Sequence, residues 1–255
     1  MKTLHSEWIK LRSLRSTWLT LACLFVVGLG ITALAANATG DIWAEATAAD
    51  RQVWDPTGHS LTAYIVAQLI VGVLGILVVT SEFATGLMST TLTATPRRTR
   101  VLAAKVALAA VVALVAGEAL MFGAFLIGQP LISRQGVPSA ALGDPGVLKA
   151  VLAGGLYLAA IGLLAVGLGA LLRATAGALA TLVGIVFLVP ALAGLFPSWL
   201  RGIFDFWPTL GGAAALNVVP DPDYPHPWVN LAGMCLAVAG VLVAAFLVFR
   251  RRDVV

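Results

Sequence analysis

Apolar residues fill six stretches of this chain, and polar residues crowd into the joints between them. The stretches are 18–37, 61–81, 103–127, 151–172, 175–196 and 228–249. A helix needs about 20 apolar residues to cross the ~30 Å hydrocarbon core of a bilayer. The pattern therefore predicts an all-α integral membrane protein with six transmembrane helices. The fourth and fifth stretches are separated only by Arg173 and Ala174. Merged, they would make a helix of about 70 Å, too long for one crossing. A tight turn is expected at Arg173.

Charge fixes the expected orientation. With six spans and the N-terminus inside, the inner segments hold Lys2, Lys10, Arg12, Arg15, Arg97, Arg98, Arg100, Lys105, Arg173, Arg250, Arg251 and Arg252. The outer segments hold only Arg51, Arg134, Lys149 and Arg201. This asymmetry follows the positive-inside rule, and merging spans four and five would move Arg250–Arg252 outside. Both termini are thus expected in the cytoplasm. The composition agrees: 60% of residues are hydrophobic and 11% charged, against about 25% charged in a soluble domain. Residues 1–255 read as a single transmembrane domain in a multi-pass protein of the cytoplasmic membrane. The net charge of +4 does not indicate nucleic acid, because the basic residues sit between apolar runs rather than on one wet patch. The start of the chain, with Ala33-Leu34-Ala35-Ala36-Asn37-Ala38 after an apolar run, also has features of a secretory signal. That run is long for one, so a retained first helix is expected.

Two joints carry more than filler. In residues 1–16, Leu4, Trp8 and Leu11 share one helical face with Trp18, and Lys2, Lys10, Arg12 and Arg15 populate the rest. An amphipathic helix in the cytoplasmic interface is expected there; an ordinary basic flank is the plainer alternative. Residues 82–100 lie inside by the charge count. Ser81 is placed to cap a short helix beginning at Glu82, Pro96 marks a corner, and Phe83, Leu87, Met88 and Leu92 are apolar residues in a cytoplasmic loop, where they suit a protein contact.

These two segments also carry a resemblance. Ser6-Glu7-Trp8-Ile9-Lys10-Leu11-Arg12-Ser13-Leu14-Arg15-Ser16-Thr17-Trp18, followed after span two by Ser81-Glu82-Phe83-Ala84-Thr85-Gly86-Leu87-Met88 and by Thr95-Pro96-Arg97-Arg98, resembles bacterial ATP-binding-cassette exporter permeases of the second type. The resemblance implies that 82–100 is a coupling loop docking on a separate ATPase subunit, with Glu82, Phe83, Gly86, Leu87, Met88, Arg97 and Arg98 at the contact. It implies two ATPase copies, a permease homodimer or pairing with a similar chain, and a path lined mainly by spans two and five. It further implies export of an amphipathic or lipid-like substrate, drug or peptide. No GxxxxGK[ST] phosphate loop occurs in the sequence, so ATP and magnesium are expected on the partner, with no cofactor bound by this chain and no catalytic residue in it.

Glu118 lies fifteen residues beyond Ala103, about 22 Å along its helix. An ionisable group at such depth costs about 3 kcal/mol on insertion scales. It reads as a substrate or gating contact, as a structural hydrogen bond, or as a side chain reaching outer headgroup water. Gln68 in span two is a weaker case of the same kind. Glycines crowd spans four and five, which suits close helix packing, and Pro190 is expected to kink span five. Residues 197–227, rich in Trp and Pro, suggest a re-entrant outer hairpin. Cys23 and Cys235 fall inside apolar runs, and His5, His59 and His226 are far apart, so no metal site is expected. A self-sufficient channel, a secondary transporter or a membrane scaffold is the alternative to a permease subunit.

Overall fold

The computed structural model describes residues 2–87 and 98–251, and the regular elements among them are all helical. Amphipathic α1 (Lys2–Ser13) is divided from α2 (Arg15–Glu45) by Leu14, whose extended backbone breaks the helical run. Two short helices follow, α3 (Ala48–Gln52) and α4 (Pro56–Leu61). The Thr47 side chain accepts the Asp50 N–H while the Asp50 carboxylate accepts the Thr47 N–H, a reciprocal cap. Asp55 caps α4, and Pro56 takes the first helical position, where no N–H is needed. The long helices α5 (Tyr64–Ala84), α6 (Arg98–Arg134) and α7 (Val147–Leu172) come next. Then follow α8 (Thr175–Val183), the short α9 (Arg201–Phe204) and α10 (Pro227–Arg251).

Five stretches among the described residues are long and apolar enough to cross a membrane: Arg15–Glu45, Pro56–Ala84, Thr99–Arg134, Val147–Leu172 and Pro227–Arg251. The fifth predicted stretch, 175–196, forms the shorter helix Thr175–Ala191. Its cause is local. The helix widens into a π turn at Gly184–Leu188, where Val189 N–H bonds to Gly184 O. Continued in that register, the next N–H would serve Ile185 O, but Pro190 has none. Trp207 Nε1 donates to Ile185 O instead, at 2.7 Å, and Thr209 Oγ1 donates to Val186 O. The residues beyond Ala191 thus fold back to satisfy the carbonyls that the interrupted helix leaves open, and Gly211–Leu216, a buried 3-10 turn, packs on α7 and α10.

The core is centred on α7, which α5, α6 and α10 surround. Helix α5 comes so close that a Cβ on Gly75 would run into the Gly162 carbonyl of α7; only glycine permits that approach in a medium where packing replaces the hydrophobic effect.

The two ends of the bundle differ. At one end α1, the end of α5, the start of α6 and the end of α10 meet, with Val79, Leu102, Ala170 and Phe249 buried together. Arg173, in the left-handed region at φ 54°, turns the chain from α7 into α8 here. At the other end, Asp55 holds four backbone N–H groups. Its Oδ1 accepts from Thr57 and Gly58, and its Oδ2 from Val218 and Val219, at 2.6–3.1 Å. Gln129 of α6 ties the same end, donating to Ser60 Oγ and Pro56 O and accepting from Ala140 N–H. Between Thr175, whose hydroxyl donates to Thr80 Oγ1, and Val218 on Asp55, the chain passes from the first end to the second.

Candidate functional site

Four charged side chains meet at the end where α1 docks. Glu7 and Lys10 come from α1, Glu82 from the last turn of α5, and Lys105 from the start of α6. Lys105 Nζ lies 2.7 Å from Glu7 Oε2, 2.8 Å from Glu82 Oε1 and 3.1 Å from Val78 O. Its three donors are therefore all used. Lys10 Nζ lies 2.9 Å from both Glu7 Oε1 and Glu82 Oε1. Glu7, Glu82 and Lys105 are only 4%, 7% and 3% exposed, and Lys10 reaches the surface. Two carboxylates and two ammoniums balance, which is the condition for burying charge at tolerable cost. Burial pushes the Glu7 carboxyl up, but the Lys105 and Lys10 ammoniums outweigh it and hold it below the ordinary carboxylate range. Burial likewise pulls Lys10 down, and its bonds to Glu7 and Glu82 reverse that, leaving it above the ordinary lysine value.

The quartet determines what lies next to it. Glu82 lies in the last turn of α5 and Lys105 about two turns into α6, so their contact ties the end of one helix to the first turns of the other. Helix α1 is clamped to that junction through Glu7. Phe83 packs edge-on to Phe249 of α10, with ring centres 6.4 Å apart, and the Arg173 guanidinium lies 5.2 Å over the Phe83 ring. Gly86 ends the helical path at φ 71°, in the left-handed region that glycine favours beyond a helix C-terminus. Leu87 follows and is 55% exposed.

The expected coupling residues thus separate. Glu82 and Phe83 turn inward, Gly86 makes the turn, and Leu87 faces out. Met88 and Arg97 lie outside the described residues, and Arg98 opens α6. Ser81 is not a helix cap: α5 runs through it to Ala84, and its hydroxyl donates to Leu77 O. On α1, Leu11 is buried, whereas Leu4, Trp8 and Arg12 are exposed, as is Arg15 at the start of α2. The face turned into the protein is that of Glu7 and Leu11, which leaves the Leu4 and Trp8 edge outward.

The intramembrane polar residues are not brought together. Gln68 is fully buried, accepting from Tyr157 Oη at 2.6 Å and donating to Ile65 O. Glu118 rests against α7 where Gly155 has no side chain, and its Oε2 has no hydrogen-bond partner among the described residues. Among those residues no group of His, Cys, Asp and Glu is placed to hold a metal ion.

Sequence reasoning missed Glu7 and Lys105. A signal existed for both. Glu7 is the one acid in a basic helix, and Lys105 falls two residues inside an apolar run, where an ammonium requires a partner.

Comparison with known proteins is consistent with this architecture. No curated protein matches the chain closely enough to count as a relative. The family model described as ABC-2 family transporter protein matches residues 3–191. The match takes in α1, the quartet and the helices up to the break after Ala191. With nearly three quarters of its length so matched, the chain belongs to the ABC-2 family of transporter proteins and is a membrane permease of that kind.

Proposed function

We propose that this permease is the membrane-spanning half of an ATP-driven exporter, with the stretch 82–100, from the last turn of α5 to the first turn of α6, coupling it to a separate ATPase. The observation that carries the reading is the quartet. A loop that transmits force must be held at its neck, and Glu82 and Lys105 hold this one from within while leaving Leu87 outward. In this reading Leu87, Met88, Arg97 and Arg98 meet the ATPase, and Glu82 positions the loop without touching the partner. Six crossings with both termini in the cytoplasm complete the topology, the fifth made by Thr175–Ala191 together with the segment folded back on it. Two permease chains and two ATPase copies would rock between inward and outward states as nucleotide draws the loops together. The cargo class is amphipathic or lipid-like.

Co-purification with the ATPase tests this. Leu87→Asp places a charge on an exposed contact and is expected to abolish the complex while leaving the thermal unfolding of the permease unchanged. An intact complex with normal ATP-dependent transport would remove the loop from the coupling role.

A further inference from the structure

Beside the quartet, α1, the start of α2 and the end of α5 enclose a cleft of about 250 Å³. Hydrocarbon makes much of its wall, with Leu11 and Leu14 on one side and Leu74, Leu77 and Val78 on the other. Glu82, Ser81 and Thr85 add polar atoms from the end of α5 and just beyond it, and Glu7, Lys10 and Lys105 of the quartet line the cleft as well. Glu82 Oε1 accepts from both Lys10 and Lys105, while Oε2, shielded from water, has no hydrogen-bond partner among the described residues. A buried acceptor without a donor is costly and calls for an explanation. The Ser81 and Thr85 hydroxyls donate to Leu77 O and Ser81 O, so what they can offer a ligand is lone pairs. Lys105 has no donor to spare.

A carboxylate oxygen, hydroxyl lone pairs and a hydrocarbon wall complement a donor-only cation on an alkyl stem. We propose that this cleft binds the ammonium head of a single-chain primary-amine amphiphile, with the ammonium on Glu82 Oε2 and the chain along Leu74, Leu77 and Leu11. Small outward shifts of the side chains lining the cleft open Oε2 to the ligand while Oε1 stays on Lys10 and Lys105. The ammonium supplies three donors, and a bond between two ionised groups is stronger than a neutral one. An anionic head gains little from Lys10 and Lys105, whose ammoniums also line the cleft but are already held by Glu7 and Glu82, whereas Glu82 Oε2 still calls for a donor. The site is built wholly from this chain, so it does not depend on the ATPase reading and is tested without an ATPase.

Dodecylamine is titrated into the purified protein in phosphatidylcholine nanodiscs, with dodecanol as the neutral control and thermophoresis as the readout. One-to-one saturable binding is expected for the amine, about tenfold or more tighter than for the alcohol. Glu82→Gln should weaken the amine by about tenfold, and Thr20→Trp, which fills the cleft without touching the quartet, should do so by at least as much. Should Glu82→Gln fail to fold, Leu77→Trp fills the cleft from α5 and serves beside Thr20→Trp. Equal partitioning of amine and alcohol overturns the proposal. So does undiminished amine binding by folded Thr20→Trp.

Discussion

Lys105 sits on a small patch of chemistry with large leverage. Its ammonium holds two buried carboxylates and a main-chain oxygen at once. Removing one partner from a buried charge network leaves the others uncompensated, at a cost of about 3–5 kcal/mol. Lys105→Met is therefore expected to lower the unfolding temperature sharply, and adding Glu7→Gln should recover part of the loss because one stranded carboxylate goes. Additive losses in calorimetry would contradict the network. The pH dependence has a definite sign. Glu7 has a lowered value, so its contribution is complete above the ordinary 4.5 and is lost as pH falls through the depressed folded value. Lys10 has a raised one, so its contribution is complete below 10.5 and is lost only as pH climbs through the elevated value. Docking of α1 should thus be constant between about pH 5 and 10 and fail in stronger acid. A fluorophore on Ser13→Cys, with Cys23 and Cys235 replaced by alanine, reports it; a transition near neutrality would refute the assignment.

Among the elements, the broken helix after Arg173 shows best how a local rule gives a tertiary contact. Pro190 has no N–H for Ile185 O in the π register, and the Trp207 indole supplies the missing donor. Trp207→Phe strands that carbonyl and is expected to cost about 1–3 kcal/mol. In a Pro190→Ala background, where a backbone donor returns, the same change should cost less. A double-mutant cycle on thermal unfolding measures the difference, and a coupling near zero would sever the link. Pro190 was legible in the sequence as a disturbance of the helix. The π turn and the identity of the rescuing side chain were not, because hydropathy counts apolar residues and cannot see which N–H is missing. Helix α1 teaches the same lesson. Its period was readable, but the buried face runs through Glu7 and Leu11 because partners 72 residues and more away in sequence wait there. A helical wheel ranks hydrophobicity and would turn Glu7 to water.

The whole molecule was the most legible scale. Length and hydropathy alone separate the long helices, since an apolar solvent imposes a near-fixed length on each crossing. Chain reversal at Arg173 was also readable, for the same reason. Orientation, read from Lys and Arg counts, has its own test. With the native cysteines replaced, Gly143→Cys between α6 and α7 should react with an impermeant maleimide on intact cells, whereas Arg12→Cys should react only after permeabilisation. The opposite pattern would invert the molecule. Asp55 was silent in the sequence, one acid among twelve, yet it joins two segments 163 residues apart. That is the topological service a cystine bridge performs, supplied here by four amide hydrogens on one carboxylate, while both cysteines stay free. Such a clasp needs no oxidant to form and no shuffling enzyme to correct it. Reducing agents during purification should leave that end of the protein closed.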